Sequence, residues 1–396
     1  MVGALLYLPD PGSRSLASRV VAGRSLVVRA LVAAFRGGAA VIGVPATLRE
    51  AGVDRAVSHL PALAQAIRWL EPGRALDEPF SNGLCLLLPA AVLLETRSVQ
   101  LLLASPAPPR GACLAASAAS GAPLLVAPAS LVAALWKSLG AGDPVGRELA
   151  RYVEDCRPEL RDGAALFEPI RSETDRRRAE ERLFRMLGTS LDGWVDEQLN
   201  RRCSRWLTRL LVRTSATPNQ VSLASLAVGS GAIWACWQAT PESAAWTVVL
   251  YALASIIDHS DGEVARLTFQ ESTFGAHLDW SIDTLIHTVL VLGIGVTAGG
   301  RLGLTVGILG AIGVLLSAIM ARHLPQEPGV GATVGGVLRN LGNRDFFYLL
   351  LVAFAVFRWL APPLLAGLAV LIAAGSQLYW IGCVARITAA RRTATG

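Results

Sequence analysis

The chain has 396 residues, 53% hydrophobic and 17% charged, a length with room for two or three domains at about 150 residues each and a composition too apolar for disorder. Its six cysteines, Cys85, Cys113, Cys156, Cys203, Cys236 and Cys383, show no CxxC or Cys/His pattern, which excludes a disulfide framework and a zinc site. The net charge of +6 rests on arginine, Lys137 being the one lysine, and the apolar excess gathers after residue 218, so the basic balance points to a membrane and not to nucleic acid.

Met1 to Pro11 lacks the basic segment and long apolar stretch of a secretory signal, and the first half is expected in the cytoplasm. Up to about residue 170, short apolar runs (Ala4–Leu8, Ala39–Val44, Leu84–Leu88, Pro123–Val126) alternate with helix-like stretches (Ser25–Phe35, Leu60–Leu70, Ser130–Leu139). This alternation predicts a parallel sheet covered by helices, an α/β Rossmann-like cytoplasmic domain. None of its runs reaches the roughly 18–20 apolar residues that span a bilayer.

Arg171 to Arg182 interleaves opposite charges at helical spacing and is expected as a solvated linker helix. Beyond it Val195, Leu199, Cys203, Trp206 and Leu210 recur at three- and four-residue steps, with Arg201, Arg202, Arg205 and Arg209 elsewhere. That pattern predicts a basic amphipathic helix lying on an anionic bilayer surface. The expected domains are 1–170, a linker and interfacial helix over 171–213, and an all-α integral membrane domain over 214–390.

Six candidate transmembrane spans follow, at about 219–239, 243–260, 275–298, 302–321, 345–360 and 362–385. Arg201, Arg202, Arg205, Arg209, Arg213, Arg266, Arg322, Arg339, Arg344, Arg386, Arg391 and Arg392 fall on one side of these spans, against Arg301 and Arg358 on the other. Positive residues stay inside. Both termini are therefore expected in the cytoplasm, with the chain in the cell inner (plasma) membrane.

The second span runs into Asp258-His-Ser-Asp261-Gly262-Glu263-Val-Ala265-Arg266, and the third opens Gly275-Ala-His-Leu-Asp279-Trp-Ser-Ile-Asp283. Each ionised side chain within a span costs about 2.5–3.5 kcal/mol on insertion scales, so such residues are functional candidates by default. On helices Asp258 and Asp261 are i,i+3 neighbours and Asp279 and Asp283 i,i+4 neighbours, so each pair shares a face. Helices lying side by side across the short connection would bring the pairs together. Four carboxylates so placed raise one another's pKa, and hard divalent cations such as Mg²⁺, bound partly through substrate phosphates, would compensate them. Gly262 and Ala265 leave room for a bulky ligand, and Arg266 offers a cation to a phosphate. His259, His277 and His287 lie close by and are expected to pack or orient neighbours.

Asp258-x2-Asp261-Gly262-x2-Ala265-Arg266-x8-Gly275-x3-Asp279-x3-Asp283 resembles the complete signature of the CDP-alcohol phosphotransferase family. Thr217-Pro218-Asn219 is similar to the element that precedes the family's first helix, and the resemblance covers roughly 190 to 390. It implies transfer of a substituted phosphate from a CDP-linked donor, CDP-diacylglycerol or a CDP-polyol, to an alcohol or phosphorylated polyol, with release of CMP. It also implies two divalent ions, Mg²⁺ or Mn²⁺, held by Asp258, Asp261, Asp279 and Asp283, with Asp283 as general base. Asn219, Gly262, Ala265, Arg266 and Gly275 would line the CDP site. Membrane lipids and a second copy of the chain, in a homodimer, are the remaining implied partners. Arg322, His323, Arg339, Arg344 and Asp345 share the side of the acids, where the arginines either bind a phosphorylated acceptor or headgroup or only obey the positive-inside rule.

Residues 1–170 resemble the sugar-phosphate nucleotidyltransferase fold. Ala4 to Arg14 is similar to its first strand and phosphate loop, and Val21-Ala-Gly23-Arg-Ser-Leu26-Val-Val-Arg29 to its G-x-P-L-x-x-R stretch. The loop lacks the full glycine set, no lysine stands between it and Gly23, and Ala90 and Ala91 stand where that family places a metal-binding acid. Without those groups cytidylyl transfer loses its electrostatic support, and a non-catalytic domain is expected. The fusion, with Phe167 to Ile170 and Asn200-Arg201 at its junction, resembles the bifunctional inositol-1-phosphate cytidylyltransferase/di-inositol-phosphate phosphate synthases. Two readings of another class compete: a cation-coupled transporter and a silent scaffold. Transporters show repeats and broken helices in both halves, whereas these acids cluster at one end of two neighbouring spans.

Overall fold

The computed structural model describes residues 3–10, 12–49, 52–78, 80–104, 111–114, 122–156, 159–161, 166–187, 196–324 and 344–395. The chain divides into two compact units, Met1–Arg185 and Met186–Gly396.

The first unit is built on a seven-stranded sheet. Its strands are β1 (Gly3–Tyr7), β4 (Val41–Pro45), β5 (Ile67–Leu70), β6 (Leu84–Pro89), β8 (Ala112–Leu114), β9 (Leu125–Pro128) and β10 (Glu159–Arg161), in the order β10-β8-β9-β6-β1-β4-β5. Two short ladders stand beside it, β2 (Val20–Val21) with β3 (Arg24–Ser25) and β7 (Val92–Leu94) with β11 (Phe167–Pro169). The central strands β1 and β6 are apolar at almost every position and buried on both faces, as strands covered by helices must be. The parallel sheet expected holds for the other paired strands of the seven, while β9 runs antiparallel to both β6 and β8. A second difference concerns Leu60–Leu70, where the helix stops at Ala66 and residues 67–70 pair with β4. A short apolar run reads alike as helix or strand, and here the open edge of β4 decides.

Helix α1 (Leu26–Arg36) buries Arg29 in its middle. The guanidinium donates from Nε to the Val21 carbonyl (2.9 Å) and from Nη2 to the Ala22 carbonyl (2.8 Å). It thereby holds the β2–β3 turn, whose Ala22 and Gly23 both take positive φ; burial lowers its pKa to about 9. The charged stretch expected as a linker is helix α2 (Glu173–Arg185) of this same unit. Its Glu180 accepts the Ala22 amide at 3.1 Å, Arg182 pairs with Glu168, and Ala179 and Phe184 are buried.

The second unit is helical: α3 (Arg201–Leu211), α4 (Pro218–Trp237), α5 (Pro241–Thr268), α6 (Thr273–Thr297), α7 (Gly300–Ala321), α8 (Arg344–Leu360) and α9 (Leu365–Thr395). Among the described residues four stretches are long and apolar enough to cross a membrane: Pro218–Trp237, Thr273–Thr297, Gly300–Ala321 and Pro362–Arg391. Of the other two expected spans, α5 carries the acids in its last turns and α8 has 17 residues. Thr217-Pro218 and Thr240-Pro241 open α4 and α5 with the same device, a threonine cap closing a box with Gln220 or Ser243 and proline in the first turn. Helices α6 and α7 meet at glycine, where a Cβ on Gly295 would run into the Gly307 backbone. Such close approach is how helices associate where lipid supplies no hydrophobic drive.

The carboxylate helices are not simply side by side. Helix α4 packs along both α5 and α6, while α5 and α6 touch each other at few points. A cleft opens between them near the turn that joins them.

Candidate active site

Three of the four aspartates meet. Asp258 and Asp261 are buried on α5, Asp279 is half-buried on α6, and each offers a carboxylate oxygen within 4.8 Å of the others. Two unit charges at that separation repel by about 3–4 kcal/mol at an effective dielectric of ~20, so an all-ionised cluster calls for a cation. Oxygen-only donors are what Mg²⁺ and Mn²⁺ select, and the residues fit such an ion. Asp283 lies one turn further along α6, half-buried and outside this group of three.

Beside the acids is a cleft of ≈ 280 Å³, lined by Asn219, Ser222, Asp261, Gly262, Ala265, Arg266, Gly275 and Asp279 among others. Every residue expected at the CDP site borders it. Space is tight at both glycines: a Cβ on Gly262 would stand 3.2 Å from Arg266 Nη1, and one on Gly275 3.0 Å from Ser272 Oγ and 3.2 Å from Asn219 Oδ1. Ser272 caps α6 by accepting the Gly275 amide at 2.9 Å, and Phe269, at positive φ, ends α5. The turn between cap and stop is thus as determined as the helices.

Sequence reasoning passed over Ser222, whose hydroxyl donates to Asp261 Oδ2 from α4, and Gln270, Glu271 and Ser272 on the cleft wall. A polar residue one turn after the Thr-Pro-Asn entry of an apolar helix was the available signal. His259 Nδ1 and His277 Nδ1 bond carbonyls one turn back, Ser255 (2.8 Å) and Thr273 (2.6 Å), while His287 Nε2 bonds the Tyr251 hydroxyl of α5 (2.8 Å). Arg322 places its guanidinium 4.6 Å over the Trp280 ring, next to Asp279. Arg339 lies outside the described residues, as does the side chain of Arg344.

Residues 215–387 match the family described as CDP-alcohol phosphatidyltransferase. That segment holds all four aspartates and every residue lining the cleft. The chain is 34% identical over 170 residues to a "Bifunctional IPC transferase and DIPP synthase" of Rubrobacter xylanophilus, covering 40% of this chain and 38% of that protein. A protein of the same description from Archaeoglobus fulgidus is 30% identical over 31% of this chain and 24% of its own length. An "Archaetidylinositol phosphate synthase" of Methanothermobacter thermautotrophicus is 38% identical over 22% of this chain and 43% of its own. The match thus spans less than half of each relative's length.

The loop of the first unit that resembles a phosphate loop is filled from within. Asp10 accepts the Ser13 amide on Oδ1 and the Ser13 hydroxyl on Oδ2, both at 2.9 Å. The Ser13 amide also donates to the Asp10 carbonyl at 3.0 Å, so this loop amide is taken up within the turn. At the end of β6, Ala90 is buried and donates its amide to the Tyr7 carbonyl (3.0 Å).

Proposed function

We propose that the chain is an integral-membrane transferase that moves a substituted phosphate from a CDP-linked donor, CDP-diacylglycerol or a CDP-polyol, to an alcohol or phosphorylated polyol, releasing CMP. The meeting of Asp258, Asp261 and Asp279 beside a cleft walled by the signature residues carries this reading. These three acids and Asp283 hold two divalent cations, which when bound neutralise the diphosphate and the departing CMP. Asp283 also takes the proton of the attacking hydroxyl on its carboxylate. Arg266 holds a donor phosphate, and Gly262, Ala265, Gly275 and Asn219 shape the space for the nucleotide. Purified protein in vesicles, given CDP-diacylglycerol or CDP-inositol, Mg²⁺ or Mn²⁺ and candidate alcohols, is expected to release CMP only when cation and alcohol are both present. No CMP from any combination rejects the reading.

The membrane domain has six spans in the inner (plasma) membrane, with both termini and the acids cytoplasmic, and works as a homodimer. Arginine asymmetry supports the orientation. So do Trp234, Trp237, Trp246 and Trp359, exposed at helix ends remote from the acids, where aromatic side chains mark an interface. Membrane-impermeant labelling of engineered cysteines from outside is expected to reach position 242 and to miss 323; the converse inverts the topology. Helix α3 lies on the anionic surface, since Trp206 and Leu210, with Leu199 just before it, are exposed while Arg201, Ser204 and Thr208 turn inward. The first unit is a non-catalytic nucleotidyltransferase-like domain, supported by Asp10 in its loop and by Ala90 and Ala91 after β6.

A further inference from the structure

Glu263 follows Gly262 in the signature yet serves the opposite face of α5. At 100° per residue it stands roughly 160° round the helix from Asp261. Its side chain is fully buried and takes three donors from α3: Arg201 Nη1 at 3.1 Å and Ser204 Oγ at 2.9 Å on Oε1, and Thr208 Oγ1 at 2.7 Å on Oε2. One turn earlier Ser260 donates to the Ser204 carbonyl at 3.4 Å. The segment just before α3 is fastened as well, Asn200 accepting the Tyr348 hydroxyl of α8 at 3.1 Å in a buried bond.

Stability alone is a poor reason for this arrangement, because apolar residues of similar volume commonly replace a buried ion pair without loss. What three directional donors on one carboxylate do supply is orientation. On its cleft side α5 packs along α4, whose Ser222 hydroxyl bonds Asp261, while it meets α6 at few points. The rotation of α5 that turns Asp258 and Asp261 toward Asp279 is therefore set from two sides, by α4 and by the three α3 donors on Glu263.

We propose that Glu263 is a positioning residue, which through Arg201, Ser204 and Thr208 locks the rotation of α5 so that Asp258 and Asp261 close the carboxylate cluster with Asp279. The proposal rests on the reading of the cleft as the phosphotransfer site. It predicts that loosening the lock weakens metal binding before it weakens the fold.

The test compares wild-type full chain in phosphatidylcholine–phosphatidylglycerol vesicles with Glu263→Gln and with the double variant Glu263→Leu/Arg201→Leu. Glu263→Gln keeps an acceptor for the two hydroxyls, and the double variant removes both buried charges together. Three quantities are read: the thermal midpoint, Mn²⁺ affinity by electron paramagnetic resonance, and CMP release as a function of Mn²⁺. The double variant is expected to keep a wild-type midpoint, to bind Mn²⁺ at least about tenfold more weakly, and to recover part of its turnover at high Mn²⁺. Glu263→Gln is expected to fall between it and wild type in Mn²⁺ affinity. Wild-type Mn²⁺ affinity in both variants overturns the positioning role and leaves the site reading standing. Wild-type protein that binds no Mn²⁺ overturns the site reading itself.

Discussion

The two units resemble families that handle cytidine phosphates, and they treat their acids in opposite ways. In the membrane domain three carboxylates meet across two helices, a hydroxyl from a third supports one of them, and the cleft beside them is bordered by glycine where space is tight. In the first unit the one acid of the loop bonds the loop's own serine, and the strand end offers buried alanine. A cluster of like charges held together calls for a ligand, whereas a carboxylate with its donors already supplied does not. The arginines differ in the same way. Arg29 is spent on two backbone carbonyls inside the first unit, while Arg266 lies at the cleft over Gly262.

The sharpest way to break this comparison is to remove the charges that define it. Asp258→Asn, Asp261→Asn, Asp279→Asn and Asp283→Asn are each expected to lower CMP release at least about a hundredfold in folded protein. Near-normal turnover in any one would take that residue out of the site. Gly275→Val tests the cleft wall, because its side chain must displace Ser272 Oγ or Asn219 Oδ1. About a tenfold rise in KM for the CDP-linked donor is expected, with the thermal midpoint little changed. Were the midpoint to collapse instead, Gly275 would be a folding residue.

Arg29→Leu addresses the first unit. Stranding the Val21 and Ala22 carbonyls should destabilise that unit by about 1–3 kcal/mol, read as a fall in its denaturation midpoint, with CMP release within about twofold of wild type. A larger loss of turnover would show that the units depend on one another. The smallest expected effect is none: the full chain with CTP, Mg²⁺ and inositol-1-phosphate or another sugar phosphate should release no pyrophosphate above a blank. Release that needs both substrates would make the protein a two-step enzyme supplying its own CDP donor.

Local spacing carried much of the site. Asp258 with Asp261, and Gly262 with Arg266, are helix neighbours, and helical geometry puts them together whatever the rest of the chain does. Thr217-Pro218 and Thr240-Pro241 likewise announce their helices, since capping is a matter of four residues. The first unit was less legible. β9 turned antiparallel and Ile67–Leu70 joined the sheet, because strand direction and edge pairing depend on partners distant in sequence.

Composition and the spacing of the acids thus determined by themselves that the second half holds helices long and apolar enough to cross a membrane and paired carboxylates on shared helix faces, since each depends only on the local run of residues or on one helical turn. Tertiary structure alone decided that α4 packs along both carboxylate helices. It alone decided that Ser222 reaches Asp261 and that Glu263 faces α3. The charged stretch 173–185 became part of the first unit for the same reason. Those outcomes turn on which face of a helix finds a partner far along the chain, and the periodicity that marks a polar face is the same whether water, lipid headgroups or another helix will cover it.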